Sequence, residues 1–284
     1  LFQAIFLLIA IIIVPVFAYT KIGGFHAIHM AAQAKNISLS FFPENLKELF
    51  NVAIGWGLGY FGMPHVVNKF MGIKNPKELV KSKYLGISWE ILAFAAASCI
   101  GLIGIAYFQA GCANPELIFV YMVQDLFHPF FAALVLCGVF AATISTMDSQ
   151  LLVAATTITE DIYKQLFKQH ASSQQEVRMF RAAVVIITLI AIFIASFKNT
   201  TIMDTVYYAW AGLGCTFAPI VIASLYSHKV NRHGAISGIV IGGVTAAIWP
   251  YLPISGWCLA MIPGFAFGMI AIFWVSHLTR KYHN

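Results

Sequence analysis

Gly55-Trp-Gly-Leu-Gly-Tyr-Phe-Gly-Met-Pro-His65 sets four glycines and a proline inside a stretch, 49–70, that otherwise reads as membrane-spanning. In lipid every backbone polar group has to be satisfied internally, so a span built to break faces protein or a water-filled cavity. Glycine favours unwinding, and Pro64 deletes one backbone donor while its ring crowds the preceding turn. An unwound segment at membrane depth offers carbonyls and amides to a ligand, and the stretch therefore predicts a binding site. The competing explanation is a packing surface, since small residues let spans approach closely. Wherever the segment stays helical, Trp56, Tyr60 and Pro64 share one face through their i, i+4, i+8 spacing.

The whole chain belongs to the same medium. Its residues are 60% hydrophobic and 10% charged, with a mean hydropathy of +0.81, whereas soluble domains are about 45–50% apolar. A spanning helix takes about 20 mostly apolar residues. Eight stretches qualify: 1–19, 49–70, 85–109, 128–159, 177–198, 201–227, 233–252 and 254–279. The expectation is an all-α, multi-pass membrane protein, a single transmembrane domain over 1–284.

A net charge of +6 raises the question of nucleic acid, which requires one contiguous basic patch. The cations are instead sorted by loop. Lys74, Lys77, Lys81 and Lys83 share one connection and Lys164, Lys168, Arg178 and Arg181 another, while Lys229, Arg232, Arg280 and Lys281 mark a third and the C-terminus. With alternating spans all of these fall on one side, leaving only Lys21, Lys35, Lys47 and Lys198 opposite. Basic residues favour the cytoplasmic face, so both residue 1 and the C-terminus are expected inside, with no nucleic-acid partner.

Five cysteines without a CxxC pair read as small hydrophobes, not a disulfide framework. Nine histidines sit in loops or at span ends, which argues against haem or zinc. No nucleophile–base pair is visible, so an enzyme is not expected. The chain opens on Leu1 inside an apolar span without a basic leader, and the expectation is the C-terminal part of a longer protein.

Between spans, Asn45 or Ser40 is a candidate cap for a helix beginning near Pro43-Glu-Asn-Leu-Lys. Residues 118, 119, 122, 123 and 126 are apolar at helical period; the segment either lies on the membrane surface or packs on the bundle as a loop helix. In the hydrophilic stretch 160–181, Asp161 or Ser173 is expected to bound a helix.

A second constellation lies in Ala141-Ala-Thr-Ile-Ser-Thr-Met-Asp-Ser-Gln150. Ala142, Ser145 and Thr146 stand at i, i+3, i+4, gathering a carbonyl and two hydroxyls on one face. Such oxygens suit a small hard cation such as sodium. Equally, Ser and Thr in apolar helices bond back to the i−4 carbonyl and do nothing further. Asp148 is a functional candidate because an intramembrane carboxylate costs about 2.5 kcal/mol or more. In the sixth span, Tyr207-Tyr-Ala-Trp210 with the small residues after it reads as helix packing, with Trp210 and the tyrosines forming an interfacial belt.

Taken together, Gly55–His65, Ala141–Val153, Thr159-Glu-Asp-Ile-Tyr163 and Tyr208-Ala-Trp-Ala-Gly-Leu-Gly214 resemble, in order and separation, motifs of the sodium/solute symporter family, most nearly its proline-transporting members. The resemblance implies the LeuT-type inverted-repeat transporter fold, of which this chain would hold the second repeat and flanking helices and lack the early helices of the first. It implies substrate contacts at Trp56, Tyr60 and Pro64, with backbone groups near Gly57 and Gly59 meeting a substrate carboxylate. It implies a sodium ion held at Ala142, Ser145 and Thr146, the other half of that site lying on a helix absent from this chain; Asp148 nearby is either a coupling residue or a side chain solvated near the cytoplasmic water. Met63 departs from the polar residue, commonly Gln, of the proline-transporting motif. The activity implied is sodium-coupled import of L-proline across the inner, cytoplasmic membrane. The alternatives are another small organic solute, or a symporter-like sensory domain of a signalling protein.

Overall fold

The computed structural model describes residues 2–40, 45–197 and 201–280. Lys198, Lys281, His283, Pro43 and Glu44 lie outside the described residues. Eleven α-helices follow one another: α1 (Phe2–Ile22), α2 (Phe25–Ala34), α3 (Leu46–Gly59), α4 (Pro64–Met71), α5 (Glu78–Tyr107), α6 (Ile118–Leu126), α7 (Pro129–Thr156), α8 (Ser173–Ala195), α9 (Ile202–Tyr226), α10 (Arg232–Ile248) and α11 (Met261–Thr279). Seven helical stretches are long and apolar enough to cross a membrane. They match the expected spans except 49–70, which is divided between α3, of 14 residues, and α4, of 8.

Two compact units form, Leu1–Phe41 with Ile73–Leu189, and Phe42–Gly72 with Ile190–Asn284. The first has a core of Val14, Ala18, Ile28, Ile100, Ile103, Met122 and Val123. The loop helix α6 thus packs on its bundle, burying Met122 and Val123 completely. Asn114 caps the turn that leads into it, accepting from the Glu116 amide at 3.0 Å. Sequence patterning missed α2, whose Ile28 and Ala32 are buried although the rest of its surface is polar or open. It also stopped the fourth span too early. α7 continues through π-helical turns over Thr157–Phe167, with Asp161 inside that continuation and α8 beginning at Ser173. Lys164 joins the two, reaching Glu160 at 3.2 Å and Glu176 at 2.9 Å.

The C-terminal ends of α1 and α5 meet α6 in a polar knot. Lys21 donates to Asp125 at 2.7 Å and to the Tyr107 hydroxyl at 3.0 Å, and Tyr107 also donates to Asp125. Both ends of the ion pair are half exposed, so it is worth at most about 1 kcal/mol. The hydrogen bonds from Lys21 and Tyr107 hold the Asp125 carboxyl below its usual range. A depressed folded-state pKa stabilises fully above the unfolded value of about 3.9, and that stabilisation disappears as pH falls through the folded value beneath it. Asp125→Asn should therefore lower the melting temperature slightly at pH 7, with the difference from wild type closing below about pH 4. An undiminished difference in acid would show the knot to be held by something other than the carboxylate.

The second unit is a post made of α9, α10 and α11. Its core gathers Ala211, Cys215, Ala246, Trp249, Ala260 and Met261, with Trp249 donating to the Cys258 carbonyl at 2.9 Å. The helices touch backbone to backbone. A methyl added at Gly242 would strike the Cys215 carbonyl, and one at Gly264 would lie 2.9 Å from the Cys215 Cβ. No cysteine is bonded to another among the described residues; Cys215 is buried, Cys112 and Cys258 are half-buried, and Cys99 and Cys137 are exposed on their spans.

Candidate functional site

The broken span is laid against α9. Asn45 caps α3 as expected, accepting from the Lys47 amide at 3.0 Å. The helix runs regularly to Gly59, tightens to a 3-10 turn over Tyr60–Gly62, and breaks at Met63, whose φ of −89° and ψ of 107° are extended. Pro64 then opens α4 at its first position, where the missing N–H has no intrahelical acceptor to lose. The break therefore falls at 60–63 and not at the early glycines. Gly57 and Gly59 are helical, so the expectation of unwound amides there is corrected: their N–H groups belong to the helix.

The glycines serve a different end from unwinding. A Cβ at Gly55 would lie 2.9 Å from the Leu259 side chain. At Gly59 it would land on the Trp210 indole, and at Gly62 it would come within 2.6 Å of the Gly214 Cα and 2.9 Å of the Ala218 amide nitrogen. Gly57 alone of the four faces open space. The packing explanation thus accounts for three of them, and at Gly59, where a substrate contact is expected, the Trp210 indole covers the Cα.

Close approach assembles an aromatic group. Trp56 lies 5.5 Å from Tyr207 and 5.5 Å from Trp210 between ring centroids, and Tyr60 presents its ring to Trp210 at 4.9 Å and 83°. Tyr60 keeps 42% of its surface open and Trp56 is half-buried. The i, i+4 face of Trp56 and Tyr60 survives, while Pro64 belongs to the next helix and leaves it. Trp210, expected at a packing surface and in a belt, packs on the broken helix, and Tyr207 with it. The signal that could have found them is the stripe Tyr207, Trp210, Gly214, Ala218, one face of α9 at helical spacing.

The oxygen-bearing face lies on α7, in the other unit. Ala142 is half-buried; Ser145, Thr146 and Asp148 are exposed. The Thr146 hydroxyl donates to the Ala142 carbonyl at 3.2 Å. That is the back-bond anticipated as the alternative, yet it leaves the hydroxyl's lone pairs free. Two oxygens 3.2 Å apart can both touch one cation at the 2.3–2.6 Å typical of hard-metal ligation. Asp148 stands at i+3 from Ser145 but at i+2 from Thr146 and i+6 from Ala142, beside the oxygen-bearing face and not on it. No group of three or more His, Cys, Asp or Glu suited to a metal occurs among the described residues.

Residues 1–242 match the family described as the sodium:solute symporter family. Among curated relatives, a high-affinity proline transporter of Bacillus subtilis is 36% identical over 292 residues, covering 98% of this chain and 60% of its own length. An osmoregulated proline transporter of the same organism is 36% identical, with 98% and 58% covered. A sodium/proline symporter of Escherichia coli is 37% identical, with 95% and 55% covered. The chain thus spans under two thirds of the length of these relatives. A solved Na+-coupled sialic acid symporter, in a substrate-bound outward-open state, superposes with a TM-score of 0.71 at 17% identity, covering 100% of this chain and 61% of that one. At that identity the likeness speaks to fold alone, and the fold is the all-helical LeuT type.

Proposed function

Because the chain belongs to the sodium:solute symporter family, we propose that the full-length protein couples inward sodium movement to uptake of L-proline across the cytoplasmic membrane, with its C-terminus inside. The family is one of transporters, and the chain is not an enzyme. The observation that carries the proposal is the break at Tyr60–Met63 with the Trp56 and Tyr60 rings beside it. Relatives named as proline transporters support the choice of solute.

Proline is a zwitterion with an apolar ring, and a broken helix offers opposite poles to its charges. The C-terminal end of α3 with its 3-10 turn forms a negative pole for the secondary ammonium; the N-terminus of α4, at Pro64, forms a positive pole for the carboxylate. Trp56 and Tyr60 supply the wall for the pyrrolidine ring. Sodium is held by the Ala142 carbonyl with the Ser145 and Thr146 hydroxyls, completed by groups outside this chain, and Asp148 couples that site to the movement of α7. Sodium favours the outward-open arrangement and raises solute affinity; by linkage the solute raises sodium affinity equally.

The test is radiolabelled proline uptake into vesicles carrying the full-length protein, under an imposed sodium gradient and then with potassium replacing it. Uptake with sodium alone is the expected result. A folded protein that moves no proline under either gradient would shift the assignment to another small organic solute, and then to a sensory domain.

A further inference from the structure

The last carbonyls of an α-helix lack a donor within the helix and are satisfied by a tightened 3-10 turn or by a group from another element. α3 passes at Tyr60 directly into a 3-10 turn, and within its last turn the Trp56 carbonyl oxygen accepts from the Trp210 indole N–H at 3.2 Å across 154 residues of sequence. The same indole fills the space where any side chain at Gly59 would stand, and it meets the rings of both Trp56 and Tyr60. One side chain of α9 therefore touches the helix end by hydrogen bond, by steric fit and by ring contact, all within the turn before the break.

We propose that Trp210 is the positioning residue of the substrate site: it caps the Trp56 carbonyl, fixes where α3 ends, and sets the angle of the Trp56–Tyr60 wall, so that the ring size of the solute is selected from α9. The inference rests on the proposed function for its substrate, though not for its geometry. Removing the N–H while keeping a ring frees the carbonyl and lets the wall tilt; removing the ring opens space behind it for a larger solute.

The test uses the full-length protein with Trp210→Phe, Trp210→Ala, Gly59→Ala and the Gly59→Ala/Trp210→Ala pair, each checked for a wild-type elution profile in detergent. Hydrogen exchange of a peptide spanning 55–65 is read against one from α10. Sodium-driven uptake is read for cyclic imino acids with four-, five- and six-membered rings. Trp210→Phe should raise KM for proline on the order of tenfold with kcat nearly unchanged, the loss of one buried hydrogen bond. It should speed exchange over 55–65 and leave α10 as it was, and Trp210→Ala should relax discrimination against the six-membered ring. Gly59→Ala alone should abolish uptake and the paired variant restore part of it, because the indole that the methyl strikes is gone. Wild-type KM, ring selectivity and exchange in Trp210→Phe, or a paired variant no better than Gly59→Ala, would overturn the positioning role while leaving the symporter reading intact. Faster exchange over 55–65 in a protein that transports none of the three solutes would do the reverse.

Discussion

Replacing Gly62 with alanine should abolish uptake and lower the melting temperature more than any other single methyl added to the broken span. The new Cβ meets backbone alone: the Gly214 Cα at 2.6 Å, and the Ala218 nitrogen and Gly214 carbonyl oxygen at 2.9 Å. A side-chain neighbour could rotate away, but helix backbone cannot, so α9 and the 3-10 turn have to separate. Overpacking in a tight core costs about 1–3 kcal/mol, and a contact with no flexible partner belongs at or above the top of that range. Separation also pulls the Tyr60 ring from Trp210, which is why transport goes with stability. Gly101→Ala is the control, since its methyl has no atom within 4 Å. Wild-type uptake and melting in Gly62→Ala would mean that the span is not held against α9 in the working protein.

Sodium dependence should disappear when Ser145 and Thr146 are both changed to alanine. Loss of one hydroxyl, in Thr146→Ala, should raise the sodium concentration for half-maximal uptake by ten- to a hundredfold, the range for a ligand worth about 1.5–3 kcal/mol. Thr143 separates ion binding from mere back-bonding. It donates to the Val139 carbonyl at 3.0 Å just as Thr146 donates to Ala142 at 3.2 Å, but, next to Ala142 and two residues before Ser145, it faces neither of them. Thr143→Ala should leave the sodium requirement unchanged, and Thr146→Ser should retain most of it. Sodium-driven uptake that survives the Ser145→Ala/Thr146→Ala pair would remove the ion site from this helix.

Local signals in the sequence carried the spans, the cap at Asn45 and the existence of a break between α3 and α4. Each depends on residues within a turn or two of one another: apolar runs, an asparagine before a helix, glycines with a proline. What was misplaced depends on distant neighbours. The glycines of 55–62 announced a break, yet three of them are glycine because Leu259, Trp210 and Gly214 lie against them, and nothing in the local period names those partners. The same separation hid Trp210, whose YAWAG surroundings read equally well as belt or as packing until the helix opposite is known. The π-helical end of α7 escaped because its polar residues look like a loop at the 3.6-residue period.

The glycine contacts of α9, α10 and α11 bear on how the protein can vary. Lipid gives little drive for helices to associate, so the post is held by dispersion at backbone range, and growth of a side chain at Gly242, Gly264 or Gly214 wedges it open. Such positions form a frozen scaffold, whereas Tyr60 remains partly open and Met63, although buried, stands in the break itself. On the proposed function, a descendant of this chain acquires a new cargo by exchanging side chains around the break, while the surface on which the broken helix rests stays out of reach of gradual change.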